Sequence, residues 1–457
     1  MTVQDLPVDT RAAQLREALG DRIVLAGDAD YDTARLAWNR AFDQRPFAVA
    51  RPESAEDVVA VVRAATAVGL RLAPQSTGHA AGALAGSDLS DAVIVHLARL
   101  RGVSVDPVAR TARVLGGSQW NDVLAAAAPH GLTALHGSAG DVSVVGYTLS
   151  GGVSFYGRAH GLAVGSVREV QLVTADGALV RVSADEHSEL FWAVRGGGGA
   201  FGVVVSVEID LLPYADVVAG MLLWDVSRAG EVARAWAQWT ASAPESATTS
   251  LRILHLPPLP ELPPFLSGRS LVVIDGAILE TDAAASELLE PLRALAPEMD
   301  TFARIPAAGV VEIHMDPPEP SPAVSMHAVV SALPVEAVDA FVAASATPGL
   351  FVAELRHIGG AFARPAEGGG AVSAIAGEYV AQGISIVPAA ELMPVMDAAV
   401  RAVVAALTPW HADAVALTFI DVADVDPAAA YGAGLERLRR LKTEHDPRGV
   451  FVAARPV

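Results

Sequence analysis

The sequence of 457 residues contains no cysteine. This absence excludes disulfide bonds, thiolate metal sites and cysteine nucleophiles, and we expect no metal ion. Aromatic residues make up only 5% of the chain, whereas hydrophobic residues make up 52% and charged residues 18%. Such a composition is typical of a globular protein without a bias towards disorder. A chain this long exceeds one ordinary core, so we expect two or three structural units.

Basic residues are also scarce. The chain has 32 Lys and Arg against 52 Asp and Glu, which gives a formal net charge of −20 at pH 7. Nucleic-acid binding depends on basic side chains that neutralise phosphates, so the charge argues against a nucleic-acid partner. It argues equally against binding to an anionic membrane surface.

Long hydrophobic runs are missing too. The most apolar stretches, such as "VVAGMLLW" (217–224), are far shorter than the ~18–20 residues that span a bilayer. The first residues, "MTVQDLPVDTRAAQLREALG", have neither the basic start nor the apolar core of a signal peptide. The sequence therefore predicts a cytoplasmic protein without a membrane partner, either a monomer or a homodimer.

Three segments are rich in small residues: "APQSTGHAAGA" (73–83), residues 136–162 and "RGGGGAFG" (195–202). Small residues let a ligand lie close to the backbone, whose N–H groups can bind phosphate without a basic side chain. Each segment alone is typical of an ordinary turn. Together they indicate one elongated ligand, with His79 touching it or bonding to it.

The third segment contains a literal G-x-G-x-x-G, from Gly197 to Gly202. A dinucleotide-binding Rossmann loop follows a strand and opens a helix. Here the predicted order is reversed, because the helix "SELFWAVR" precedes the glycines and the strand "VVVSVEIDL" follows them. The pattern therefore disfavours a nicotinamide dinucleotide and fits a helix-capping turn with a close backbone approach.

Predicted helices and strands alternate along the whole chain. "SAEDVVAVVRAATAVGL" (54–70) predicts a helix with Ser54 as its N-cap, and "VREVQLVTADGALVRVS" (167–183) predicts a hairpin that turns at Asp-Gly. After about residue 213, a second set of strands and helices predicts a separate antiparallel sheet with helices on one face.

Taken in order, these segments resemble the FAD-linked oxidases of the vanillyl-alcohol oxidase superfamily, and most of all the berberine-bridge-enzyme-like branch. "PQSTGHAAG" (74–82) is similar to that family's pyrophosphate loop, R-x-G-G-H-x-x-x-G. "VGYTLSGGVSFYGRAHGL" (145–162) resembles its glycine-rich motif, and residues 173–211 give the strongest match. "YGAGLERLRRLKTEHDPRGVF" (431–451) resembles its closing segment.

The resemblance implies an α+β fold in two parts. Residues 1–213 would form an FAD-binding domain of the vanillyl-alcohol oxidase type, to which a C-terminal segment, 413–457, returns. Residues 214–412 would form a substrate domain, an antiparallel sheet with helices on one face, that covers the flavin.

The resemblance also implies FAD bonded covalently to His79 through the flavin 8-methyl group. Many relatives carry a second link through a cysteine, but Ala139 stands at that position, so we expect a single link. Val142 aligns with a position where small side chains accompany reaction with oxygen. The residues assigned to the cofactor are Gln75, Ser76, Thr77, Gly78, His79, Gly82, Ser138, Ala139, Asp141, Val142, Gly146, Gly151, Gly152, Gly202 and Val204.

The usual catalytic base of the family is missing. Many relatives carry a Y-x-N pair near the C-terminus, with the tyrosine as base, whereas this chain has Ala416 and Thr418 there. A replacement must reach the abstracted proton, and we favour a tyrosine on a strand that the family directs at the flavin. The candidates are Tyr379, which we favour slightly, Glu378, His314, His327 and Glu354. Each also has an ordinary interpretation: a strand aromatic, a surface or strand histidine, or a solvated or paired carboxylate.

The sequence therefore predicts an FAD-dependent oxidase that takes a hydride from a small organic substrate onto flavin N5 and reduces O2 to hydrogen peroxide. Few Lys and Arg occur in the middle of the chain, which favours an uncharged alcohol, amine or sugar. Two alternatives stay open: a tailoring enzyme with an oxygenating or internal redox reaction, and an inactive flavin-fold binding protein.

Overall fold

The computed structural model describes residues 7–457 apart from 259, 261, 262, 264, 318, 424, 425 and 456. The strands of this part of the chain form three sheets. The helices are α1 Val8–Leu19, α2 Tyr31–Ala34, α3 Ala55–Ala67, α4 Trp120–Ala127, α5 Val144–Thr148, α6 Gly157–His160, α7 Ser188–Gly197, α8 Ala229–Thr240, α9 Asp282–Arg293, α10 Val335–Ser345, α11 Met393–Ala406, α12 Pro427–Tyr431 and α13 Leu435–His445.

The first sheet has the strand order β1-β2-β4-β3, in which β2 and β3 run parallel to β4. Its strands are β1 Ile23–Leu25, β2 Ala48–Ala50, β3 Arg71–Gln75 and β4 Ala92–His96. Helix α3 connects β2 to β3 and begins as predicted, since the side chain of Ser54 accepts the backbone N–H of Asp57. The small-residue loop with His79 therefore leaves the carboxyl end of a buried parallel strand.

The second sheet is antiparallel, with the order β5-β6-β9-β7-β8. Its strands are β5 Val103–Asp106, β6 Thr111–Leu115, β7 Val167–Val173, β8 Leu179–Ser183 and β9 Val203–Asp210. The predicted hairpin is confirmed, because β7 and β8 pair across a turn in which Gly177 has φ +78°. Helix α7 precedes the glycine run and β9 follows it, which confirms the reversed order inferred from the sequence.

The third sheet is larger, and its neighbouring strands pair antiparallel in the order β13-β10-β12-β11-β16-β17-β15, with β14 also on β10. Its strands are β10 Asp216–Asp225, β11 Ala247–His255, β12 Ser270–Ile278, β13 Met299–Asp300, β14 Ala303–Pro306, β15 Ala323–Val330, β16 Val352–His357 and β17 Tyr379–Ile386.

Helices α8 to α11 cover one face of the third sheet through a core that includes Trp236, Leu289, Phe341 and Val403. The opposite face packs towards the second sheet, since Val217, Val329 and Val380 share a core with Val114 and Val170 and with Phe155. A sheet that is apolar on both faces is buried on both sides. The predicted α+β class and the sheet with helices on one face are thus confirmed.

The C-terminal segment packs back onto the first sheet. The backbone N–H of Leu72 in β3 donates to Val450 O at 2.8 Å, and that of Val452 donates to Leu72 O at 2.8 Å. Lys442 Nζ donates to Ala200 O at 2.6 Å. The domain boundaries drawn from the sequence stay a prediction. In the described part of the chain, no helix combines the length and apolarity needed to cross a membrane.

Candidate cofactor and substrate site

The three small-residue segments meet in space. The first two approach each other at His79 Nε2, which lies 3.6 Å from Asp141 Oδ2. The third approaches the first where a Cβ placed on Gly199 would lie 3.6 Å from Pro74 Cγ. A Cβ placed on Gly198 would lie 3.9 Å from Leu149 Cβ in the second segment. The sequence did not show this convergence directly, yet it is what one elongated ligand requires.

His79 is held between an aromatic ring and a carboxylate. Its imidazole stacks on Trp38, whose Nε1 donates to Asp141 Oδ2 at 2.5 Å. Burial lowers the pKa of His79, while the neighbouring Asp141 carboxylate acts in the opposite direction. Because the imidazole stays neutral near pH 7, one ring nitrogen keeps a lone pair that can form a bond.

The residues of the three segments fit FAD. Six buried polar atoms on these segments make no hydrogen bond to the described residues: Gln75 Nε2, His79 Nε2, His136 Nε2, Tyr147 Oη, Thr148 Oγ1 and Arg158 Nε. Buried polar atoms in native proteins are nearly always bonded, so these atoms indicate a polar ligand or water. The loop backbone is also closely packed, since a Cβ on Gly82 would lie 2.2 Å from Asp421 O.

Several other residues assigned to the cofactor line the same region at half-buried positions, namely Ser76, Thr77, Gly78, Ser138, Ala139, Asp141 and Val142. Ser138 Oγ donates to Asp316 Oδ2 at 2.8 Å, and Ser76 Oγ donates to Gly116 O at 2.7 Å.

The remaining assigned glycines have backbone roles. Gly151 and Gly152 adopt φ +102° and +75°, a region that favours glycine, and Gly146 N donates to Ser143 Oγ at 3.2 Å. Gly202 and Val204 pack tightly in the second sheet, since a Cβ on Gly202 would lie 2.7 Å from Val173 O. The positions of these two residues indicate packing rather than contact with a ligand.

The placement of Tyr379 argues against its favoured role as base. Its side chain lies on the helix-covered face of the third sheet, where its hydroxyl is 2.7 Å from Thr240 Oγ1. The ring stacks on His357 with a centroid distance of 5.3 Å. Successive strand residues point to opposite faces, so Tyr379 points away from the side on which the three small-residue segments lie. Glu378, the residue before it, is exposed.

His314 is buried, so the alternative interpretation of it as a loop surface residue is wrong. Its Nδ1 lies 2.9 Å from Asp275 Oδ2, and its Nε2 lies 3.8 Å from Glu354 Oε1. Arg252 pairs with Asp275, and Arg356 Nε donates to Glu354 Oε1 at 2.8 Å. Burial raises the pKa of Asp275, but Arg252 and His314 outweigh it and hold that pKa well below its usual range.

These five side chains form a buried ionic network, which we define as Arg252, Asp275, His314, Glu354 and Arg356. The network is on the face of the third sheet opposite the helices, because the Arg356 guanidinium lies 5.5 Å from the centroid of Phe155. It brings together two of the base candidates, His314 and Glu354. Both are already paired, so neither is a free base.

His327 lines a cavity of about 190 Å³ together with Ser325, Phe419 and Asp421. Burial lowers the pKa of His327 to about 4 and raises that of Asp421 to about 7. Sequence reasoning missed Asp421, although a single carboxylate in the apolar stretch "VALTFIDV" (415–422) was a visible signal. Ala416, at the position of the usual tyrosine, is fully buried.

Comparison with known proteins gives both a sequence match and a fold match. The family described as FAD binding domain matches residues 46–183. The (R)-6-hydroxynicotine oxidase of Paenarthrobacter nicotinovorans is 36% identical over 204 residues, which cover 44% of this chain and 44% of that protein. The xylooligosaccharide oxidase of Thermothelomyces thermophilus is 34% identical over 187 residues, 40% of this chain and 37% of that one. The match thus spans less than half the length of these relatives.

Solved structures match over nearly the whole chain. The wild-type BBE-like 1 protein of Physcomitrella patens superposes with a TM-score of 0.82 at 20% identity and covers 99% of each chain. Berberine bridge enzyme from Eschscholzia californica gives a TM-score of 0.81 at 18% identity, with 98% of this chain and 99% of that one covered. The chain therefore carries an FAD binding domain in residues 46–183 and shares its fold with berberine bridge enzyme and a BBE-like protein, which confirms the resemblance seen in its sequence.

Proposed function

We propose that this protein is an FAD-dependent oxidoreductase, and specifically an oxidase that passes electrons from a small organic substrate to O2. The observation that carries the proposal is the convergence of three small-residue segments on His79, beside the third sheet. FAD supplies the hydride acceptor and the reaction with oxygen when it is bound.

The residues of this chain bind and orient the cofactor. Backbone N–H groups of the loop at 75–79 hold the pyrophosphate, which needs no basic side chain in such a concavity. His79 supplies the neutral nitrogen for a single covalent link, and Trp38 and Asp141 fix the orientation of its ring. A cysteine link cannot form because the sequence has no cysteine.

The relatives support the substrate class in broad terms. One relative is a 6-hydroxynicotine oxidase and two are oligosaccharide oxidases. An alcohol, amine or sugar is therefore the proposed substrate, and a monomer or homodimer in the cytoplasm is the proposed form. Val142 is half-buried beside Asp141, where it would border the path of oxygen.

A second candidate function is an oxygenating or internal redox reaction. It is favoured by the buried Ala416 at the position where relatives carry the tyrosine base. One relative, 31% identical over 227 residues, is an FAD-dependent monooxygenase from Fusarium proliferatum. An inactive binding protein with a flavin fold is the third candidate. Such a protein would bind flavin, but no substrate would reduce it.

The test begins with the purified protein denatured in acid. We expect the yellow chromophore to stay with the precipitated chain, because the His79 link is covalent. With a panel of alcohols, amines and sugars, oxygen uptake should match hydrogen peroxide release. Uptake without matching peroxide would favour the oxygenating reaction, and a protein that binds no flavin would contradict all three functions.

A further inference from the structure

The cavity of about 190 Å³ lies between β15 and residues 414–422 of the C-terminal segment. Its polar lining includes Ser325 and His327 from the strand and Asp421 from the segment. Asp421 also touches the loop that carries His79, because a Cβ placed on Gly82 would lie 2.6 Å from Asp421 Oδ1. The cavity therefore lies next to the proposed cofactor site, at the point where the third sheet approaches it.

Asp421 has an unused acceptor. No well-aligned hydrogen bond from the described residues reaches its buried Oδ1, although the Gly82 N–H and Ser325 lie close enough to lower the pKa of this carboxyl, and its Oδ2 accepts Asn39 Nδ2 at 3.3 Å. Leaving a buried acceptor unsatisfied destabilises the folded protein, and a donor on a bound molecule removes that cost. The cavity itself is the space in which such a donor would fit.

The described residues that line the cavity are either acidic or neutral. Asp421 and Asp426 are its ionisable acids, and the lining residues that the structure describes include neither Lys nor Arg. Burial lowers the pKa of His327 to about 4, so that imidazole is neutral near pH 7. Met326 and Phe419 provide apolar surface. This combination suits a cation with an apolar body.

We propose that this cavity binds a small primary or secondary ammonium ion, and that Asp421 Oδ1 accepts a hydrogen bond and then a proton from its nitrogen. The N–H bond breaks, the proton bonds to the carboxylate, and the nitrogen keeps the electron pair and becomes a neutral amine. The inference rests on the proposed oxidase function, to which it adds the substrate class.

Proton affinity favours an amine over an alcohol. Burial raises the pKa of Asp421 to about 7, and the Gly82 backbone N–H and the Arg455 cation of the C-terminal segment, the two largest opposing influences, only partly offset this. An alkylammonium resembles the Lys side chain, with a pKa of ~10.4, whereas a hydroxyl resembles water, with a pKa of ~15.7. A base with a pKa near the operating pH is effective, and proton transfer to this carboxylate is far less uphill from an ammonium group than from a hydroxyl.

The test is calorimetric binding to the flavin-loaded protein without oxygen, with benzylamine and its neutral counterpart benzyl alcohol as probes. At about pH 8 we expect benzylamine to bind about 10-fold more tightly, a difference of one ionic hydrogen bond. Asp421→Asn should reduce the preference to about 2-fold or less. Asp413→Asn, which removes the charge of an exposed residue outside the described cavity lining, is the matched control and should keep it.

Equal binding of the two probes to the wild type, or an unchanged preference in Asp421→Asn, would overturn the inference. If Asp421→Asn does not fold, the pH dependence of probe binding to the wild-type protein tests the inference instead. Benzylamine affinity should rise with pH through about 7, as Asp421 ionises, while benzyl alcohol affinity should not, and a flat benzylamine profile would overturn the inference. Failure of the oxidase function is recognised separately, as missing flavin or missing oxygen uptake, because probe binding needs no turnover.

Discussion

The imidazole of His79 stacks on the indole of Trp38, with the ring centroids 4.1 Å apart and 23° between the ring planes. The same indole donates to the Asp141 carboxylate, which lies 3.6 Å from the imidazole. The direction in which His79 points thus depends on two side chains outside its own loop.

Replacing His79 by Ala should turn bound flavin into releasable flavin. The substitution removes the nitrogen of the proposed link, while the backbone proposed to hold the pyrophosphate stays in place. Acid precipitation should leave the colour with the wild-type chain and release it from His79→Ala. Colour that stays with the variant chain would contradict attachment at this residue.

Replacing Trp38 by Leu should slow flavin attachment about 3- to 10-fold, because stacking contributes ~0.5–1.5 kcal/mol to the orientation of the ring. The rate can be followed as acid-stable flavin after FAD is added to the apoprotein. Trp38→Phe is the matched control, since it keeps an aromatic face but loses the N–H that binds Asp141. An unchanged rate in Trp38→Leu would show that stacking does not orient His79.

Replacing Tyr379 by Phe should leave kcat/KM within about 2-fold, because the hydroxyl bonds to Thr240 on the face away from the candidate site. The loss of one buried hydrogen bond should lower the free energy of unfolding by about 1 kcal/mol. Steady-state oxygen uptake and urea unfolding measure the two quantities. A large loss of kcat/KM with a normal fold would restore Tyr379 as the base.

Replacing Asp275 by Asn should lower the free energy of unfolding by about 3–5 kcal/mol, because Arg252 and His314 then lose a buried counter-charge. Asp216→Asn is the control: its half-exposed carboxylate pairs with Arg304, and such surface pairs contribute ~1 kcal/mol or less. Urea unfolding should separate the two variants clearly. Equal effects would mean that the network is more hydrated than its burial indicates.

Acid should destabilise the protein between about pH 6.5 and 4. Burial lowers the pKa of His136, His327 and His357 to about 4, about 4 and about 3. As pH falls through this range, the three histidines bind protons in the unfolded chain, where their pKa values are ~6.5, but not in the folded protein. Asp421 has the opposite effect: its pKa in the folded protein is raised to about 7, so it binds one proton there and not in the unfolded chain. The net two protons correspond to a loss of ~3 kcal/mol per pH unit.

Urea unfolding at a series of pH values measures this slope. His357→Gln removes one of the three titrating rings and should make the slope shallower by about 1.4 kcal/mol per pH unit. A slope that stays the same in His357→Gln would show that this imidazole is protonated in the folded protein.

Local signals predicted much of the fold. Ser54 caps α3 because its hydroxyl reaches the Asp57 N–H within one turn, and the turn at Asp-Gly sets the β7–β8 hairpin. Both features depend on neighbours in sequence, which one sequence displays. The order of α7, glycines and β9 was readable for the same reason.

Features that depend on distant residues were not readable. Burial of His314 requires Asp275 from another strand, and the face taken by Tyr379 is ambiguous because β17 is apolar on both sides. The scarcity of Lys and Arg in the middle of the chain favoured an uncharged substrate and gave no signal of buried cations. Yet Arg252 and Arg356 are buried there, each neutralised by a carboxylate.

The backbone pairing of Leu72 with Val450 and Val452 has a consequence for biosynthesis. β3 is the edge of its sheet, and its free side is covered by residues that the ribosome makes after the whole third sheet. The loop with His79 starts from this strand. The strand therefore lacks its partner on one side while the third sheet is being synthesised. If the protein loads flavin as proposed, we expect loading to follow synthesis of the third sheet.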